Sequence, residues 1–128
     1  MSSSESPSTR IAVVDDNADV RVALRSLLRS CGYQVDVYES ALALLAVQPL
    51  HYDCIISDLQ MPGMSGIELL EHLRRQGDHT PLIMITAFPE SALRLRALQG
   101  GAVCFLSKPC DANELLRSVQ VAVDAPTH

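Results

Sequence analysis

The stretch Ile11-Ala12-Val13-Val14-Asp15-Asp16-Asn17 decides the fold, because four unbroken apolar residues end abruptly in three polar ones. Such a run reads as a strand buried on both faces, and the polar triplet as the loop at its carboxyl end. Working outward, the same rhythm recurs at Cys54-Ile55-Ile56, at Leu82-Ile83-Met84-Ile85 and at Val103-Cys104-Phe105-Leu106. Each run leads into a polar or Gly/Pro segment and then into a stretch of helical period. Only Gln34-Val35-Asp36-Val37-Tyr38 alternates polar with apolar, which marks a strand with one wet side or at a sheet edge.

The intervening segments predict helices. Val20, Leu24, Leu27, Leu28 and Cys31 recur at helical spacing, and Gly32 stops the pattern. Ser40 can cap a short helix through Val47, which Pro49 ends. Ser65-x-x-Glu68 and Asp111-x-x-Glu114 have capping-box form, ahead of the apolar faces Leu69, Leu70, Leu73 and Leu115, Leu116, Val119. Glu90 to Gln99 predicts another helix, closed by Gly100-Gly101; Leu93, Leu95 and Leu98 cannot all share one narrow inward stripe, so some of them are expected in solvent. Five strands alternating with five helices, the strands mostly unbroken in apolarity, imply a single doubly wound α/β domain with a parallel sheet covered on both faces. Ligands of such sheets bind beyond the carboxyl ends of the strands.

Composition narrows the function. The 128 residues are 48% apolar and 20% charged, enough for one domain with a true core. A formal net charge of -5 opposes direct binding to nucleic acid or to an anionic membrane. No apolar run reaches the length of a membrane span, and Ser-rich Met1 to Thr9 lacks the basic start and apolar stretch of an export signal. Cys31, Cys54, Cys104 and Cys110 form no C-x-x-C pair and read as reduced thiols, which fits a cytoplasmic protein. His51, His72, His79 and His128 keep no ligand spacing to them and read as surface or loop residues.

The residues following the strands are the chemistry-bearing ones: Asp15 and Asp16 after the first, Asp58 after the third, Thr86 after the fourth, Lys108-Pro109 after the fifth. Three carboxylates on one rim raise each other's pKa unless a cation neutralises them. Oxygen ligands and an open site suit Mg²⁺. Carboxylates on a divalent ion, a fixed ammonium and a hydroxyl form an electrostatic clamp for a phosphoryl group, and a carboxylate can itself be the nucleophile. No G-x-x-x-x-G-K-[ST] loop is present to cradle a nucleotide. Singly, each Asp reads equally well as a helix cap, Thr86 as a turn residue and Lys108 as a solvated charge; jointly they point to a site.

These residues resemble the response-regulator receiver domain of two-component signalling, over about Arg10 to Val123. The resemblance rests on Val14-Asp15-Asp16-Asn17, Asp58-Leu59-Gln60-Met61-Pro62-Gly63 with Gly66 following, Thr86-Ala87 and Lys108-Pro109. It implies a flavodoxin-like (βα)5 domain over 10–123, between a polar tail 1–9 and a C-terminal tail 124–128, with strand order 2-1-3-4-5; the alternating second strand independently suits an edge. It further implies that Asp58 accepts a phosphoryl group from a histidine kinase or phosphotransfer protein, without turnover of a separate substrate. Asp16, Asp58 and the backbone carbonyl of Gln60 would bind Mg²⁺, Asp15 would hold a metal-bound water, Lys108 would pair with Asp58, and Thr86 and Phe105 would form the switch. Relatives commonly use the fourth helix, fifth strand and last helix to bind an output partner or, on phosphorylation, a second copy.

Cys110, Phe88 and Gln60 depart from the commonest pattern. Beginning at Met1 and ending at His128, the chain is expected to be a stand-alone receiver or the receiver fragment of a longer DNA-binding regulator. A reading from another class, a small Mg²⁺-dependent phosphatase or phosphotransferase, calls for a second acid/base carboxylate where this chain has Gln60. A degenerate receiver used only for docking is at odds with the complete set of site residues.

Overall fold

The structure, a computed structural model, describes residues 9–47 and 51–124. The expected tails, apart from Thr9 and Asp124, lie outside the described residues, as do Pro49 and His128. In chain order the elements are β1 (Arg10–Val14), α1 (Ala18–Ser30), β2 (Gln34–Tyr38), α2 (Ala41–Leu45), β3 (Cys54–Asp58), α3 (Gly66–Arg75), β4 (Leu82–Thr86), α4 (Ser91–Gln99), β5 (Cys104–Ser107) and α5 (Ala112–Asp124). All strands are parallel, in the order β2-β1-β3-β4-β5.

Alternation of side chains across the sheet explains why the strands read as continuous apolar runs. Ala12, Val14, Ile55, Leu82 and Met84 meet α2, α3 and α4 on one face, through Leu44, Leu69, Leu70, Leu73 and Ala97. Ile11, Val13, Ile56, Ile83 and Ile85 meet α1 and α5 on the other, through Leu24, Leu28, Leu115 and Val119. Each fully buried Leu or Ile contributes about 1.5–3 kcal/mol over leaving it in water. Edge strand β2 keeps its polar positions wet, and there Asp36 takes hydrogen bonds from Arg10 at 3.1 Å and the Tyr52 hydroxyl at 2.7 Å. A charge on an edge strand discourages pairing with another chain.

Several boundaries differ from the sequence expectation. Asp58 and Thr86 are the last residues of β3 and β4 rather than loop residues beyond them, and are buried accordingly. Helix α2 stops at Leu45 rather than Val47, and β5 starts at Cys104. Cys31 is the exposed C-cap of α1 instead of part of its inward stripe; Gly32 beyond it adopts φ +93°, which its missing Cβ permits. His72 lies half-buried in the last turn of α3. Helix α5 includes Asp124. As expected, α4 is poorly amphipathic: only Ala97 is fully buried, while Leu95 and Leu98 are exposed.

Candidate functional site

Local capping brings the acidic residues to the rim. Asn17 accepts from the N–H groups of Asp19 and Val20 to start α1, while its own N–H donates to Asp15 Oδ1 at 2.9 Å. Asp15 is also held through its backbone: its N–H donates to the Tyr38 carbonyl at 3.1 Å, and its carbonyl accepts from Arg21 Nη1 at 2.7 Å. The capping box of Ser65 and Glu68 fixes the entry to α3, beyond the loop that follows Asp58. Neither Tyr38 nor Arg21 is recognisable from sequence as a support of the site, because both act only once β2 and α1 lie against β1.

The expected residues converge. Asp15, Asp16 and Asp58 each offer one carboxylate oxygen within 4.8 Å of the others. Asp15 is fully buried and Asp58 nearly so, whereas Asp16 is exposed. Lys108 bridges the first two, with Nζ 2.8 Å from Asp15 Oδ2 and 3.5 Å from Asp58 Oδ1. The pairing with Asp58 expected from resemblance is thus present, but the shorter contact is to Asp15, a partner that sequence did not single out. Lys108 follows β5, its N–H donates to the Thr86 carbonyl at 2.7 Å, and the Lys108–Pro109 peptide is cis.

Thr86 is buried at the end of β4. Its Oγ1 accepts from the Phe88 N–H at 3.0 Å, which leaves the hydroxyl proton available to another acceptor. Phe88 itself is 59% exposed. Phe105 is 6% exposed and packs within the core layer that includes Met84. Gln60 is exposed, and its backbone N–H acts on the Asp58 carboxylate, which leaves its carbonyl, the expected metal ligand, free for that role.

The electrostatics follow from this crowding. Burial first, and then the Asp15 carboxylate, push the Asp58 carboxyl above its ordinary value, although Lys108 and the Gln60 N–H work in the other direction. Burial disfavours the Lys108 ammonium, but its hydrogen bond to Asp15 and the charge of Asp58 outweigh that and raise its pKa. Three carboxylates against one ammonium leave an excess negative charge among oxygen donors. That donor set fits a hard divalent cation, and an acidic cluster able to hold a metal ion is therefore present.

Comparison with known proteins agrees with this geometry. The response regulator receiver domain family matches residues 11–120. The transcriptional regulatory protein FixJ of Bradyrhizobium diazoefficiens is 37% identical over 114 residues, covering 88% of this chain and 56% of that protein. Among solved structures, FixJ-N superposes with a TM-score of 0.87 at 31% identity, covering 96% of this chain and 99% of that one. The response regulator StyR superposes with a TM-score of 0.85 at 38% identity, covering 91% and 60%. The chain spans about half the length of several of the curated relatives it matches. No helix among the described residues is long and apolar enough to cross a membrane.

Proposed function

This chain belongs to the response regulator receiver domain family, and from that premise we propose that Asp58 is its phosphoacceptor, loaded from a phosphohistidine of a sensor kinase or phosphotransfer protein in the cytoplasm. The observation that carries the proposal is the position of the Asp58 carboxylate, at a rim shared with two further carboxylates and within 3.5 Å of the Lys108 ammonium. A carboxylate oxygen of Asp58 forms the new bond to phosphorus. The bond from phosphorus to the donor's imidazole nitrogen breaks, its electron pair stays on that nitrogen, and the imidazole takes up a proton when it needs one. The reaction modifies the domain itself and, with the hydrolysis that reverses it, turns over no separate substrate.

Asp16, Asp58 and the Gln60 carbonyl would hold Mg²⁺, with Asp15 beside them. When bound, the ion supplies positive charge against the phosphoryl oxygens. The contacts of the Lys108 ammonium with Asp15 and Asp58 support a role in which it passes from carboxylates to phosphoryl oxygens, as a cation on a flexible stem. Thr86 donates its free hydroxyl proton to one of those oxygens, and its displacement opens space beside β5 into which Phe105 packs. Phenylalanine has no hydroxyl to favour an outward rotamer, and the burial of Phe105 supports an inward bias.

Output is assigned to the face of α4, β5 and α5. Leu95, Leu98 and Val121 are exposed there, and α4 contributes little to the core, so this face suits an output partner or, on phosphorylation, a second copy. The length of the relatives favours a domain that serves a longer regulator, and the transcriptional regulatory protein FixJ among them favours one that acts in transcription. The phosphatase reading lacks its second acid/base carboxylate, since Gln60 stands in that place. Incubation with Mg²⁺ and acetyl phosphate tests the assignment: intact-mass analysis should show one phosphoryl on the wild type and none on Asp58→Asn. Equal incorporation in the variant would reject Asp58.

A further inference from the structure

We propose that Gly66 is a positioning residue for the acceptor, and that the bare first turn of α3 sets where the Asp58 carboxylate stands. The inference rests on the assignment of Asp58 made above. Gly66 does not adopt a positive φ, so its backbone conformation is open to any residue; what demands glycine here is space. A Cβ at this position would lie 2.4 Å from the Asp58 carbonyl oxygen, 2.6 Å from Met84 Sδ and 3.1 Å from Leu59 Cα. Of these, Met84 Sδ is the end of a flexible side chain, whereas the Asp58 carbonyl belongs to the acceptor's own backbone.

That backbone has little freedom to retreat. The Asp58 carbonyl accepts from Ser57 Oγ at 3.0 Å. The Leu59 N–H donates to the Ile85 carbonyl of β4 at 2.8 Å, and the Leu59 carbonyl accepts from the Gly66 N–H at 2.8 Å. Leu59 is therefore held to β4 through its N–H and to the start of α3 through its carbonyl, which restrains the Asp58–Leu59 peptide beside it. Any side chain on Gly66 must move α3 away or push this peptide, with the carboxylate that it carries, by more than half an ångström before the contact reaches the 3.0 Å that real Cβ atoms respect. Misplacement of a reacting atom by about 1 Å can lower a rate by roughly 100-fold. The chain approaches so closely that α3 acts as a backstop for the nucleophile, in addition to burying its apolar face.

Two variants separate positioning from packing. Gly66→Ala meets both close contacts; Gly66→Ala combined with Met84→Val removes the sulfur contact, returns volume to the added methyl and keeps a residue suited to a strand. The double variant should recover part of the melting temperature lost by the single variant, measured without metal, because the sulfur contact is gone while the Asp58 carbonyl contact remains. It should still phosphorylate from acetyl phosphate with Mg²⁺ some 10- to 100-fold more slowly than Met84→Val alone. Its Leu59 and Gln60 amide resonances should stay displaced from those of Met84→Val. If the double variant phosphorylates at the rate of Met84→Val, Gly66 is a packing residue only and the inference is wrong. If the wild type itself gains no phosphoryl, the Asp58 assignment fails instead, a different result from the one that concerns Gly66.

Discussion

Lys108 stands closer to Asp15 than to Asp58: its ammonium is 2.8 Å from the one carboxylate and 3.5 Å from the other. The ammonium thus partly neutralises the carboxylates that a divalent cation would need. Lys108 is at once the counter-charge of the resting site and a competitor for its anionic character.

Lys108→Met should accordingly tighten Mg²⁺ binding, by about tenfold given the strength of charge interactions at this range in a partly buried site. Calorimetric titration of the unphosphorylated protein measures this directly. An unchanged or weaker affinity would show that Lys108 does not oppose the cation.

Asp16→Asn should weaken Mg²⁺ binding more than Asp15→Asn. Both oxygens of Asp15 are already engaged, one by the Asn17 N–H and one by Lys108, whereas Asp16 is exposed and has no hydrogen-bond partner among the described residues. Asp15→Asn should instead lower the melting temperature, because it breaks a largely buried ion pair. Equal Mg²⁺ affinities in the two variants would contradict this division of roles.

Asp58→Asn should stabilise the metal-free protein at neutral pH. Burial, then Asp15, raises the Asp58 pKa above the ordinary 3.8, so the folded state binds this proton more tightly than the unfolded chain does. Stability is lost as pH climbs from that ordinary value through the raised one, and the whole penalty is present above both. The variant should therefore melt a few degrees higher than wild type at pH 7, at roughly 3–5 °C per kcal/mol relieved. The advantage should vanish toward pH 3 and shrink when Mg²⁺ is added. A melting temperature for the variant below that of wild type at pH 7 would contradict the sign.

Thr86→Ala should leave Asp58 able to take up phosphate but should remove its effect on α4 and β5. In the wild type, phosphorylation should change hydrogen exchange across residues 91–107; in the variant at least half of that change should disappear. Phe105→Ala should cost about 3–5 kcal/mol of stability, because the ring fills a closed part of the core. Full retention of the exchange response in Thr86→Ala would exclude coupling through its hydroxyl.

By itself the sequence determined the layering and the identity of the rim. Unbroken apolar runs such as Ile11 to Val14 signal burial on both faces, the alternation at Gln34 to Tyr38 signals an edge, and Ser65 with Glu68 announces the start of α3, all through periodicities shorter than ten residues. Asp15, Asp16, Asp58, Thr86 and Lys108 were legible for the same reason, since each lies at or just beyond the end of such a run. Tertiary structure alone decided that Asp58 and Thr86 still belong to their strands, that Lys108 reaches Asp15 first, that Tyr38 and Arg21 hold the Asp15 backbone, and that Gly66 lies against the Asp58 carbonyl. These relationships join residues up to 93 positions apart. They depend on which strands and helices become neighbours, and differences of a few tenths of an ångström carry no trace in local residue patterns.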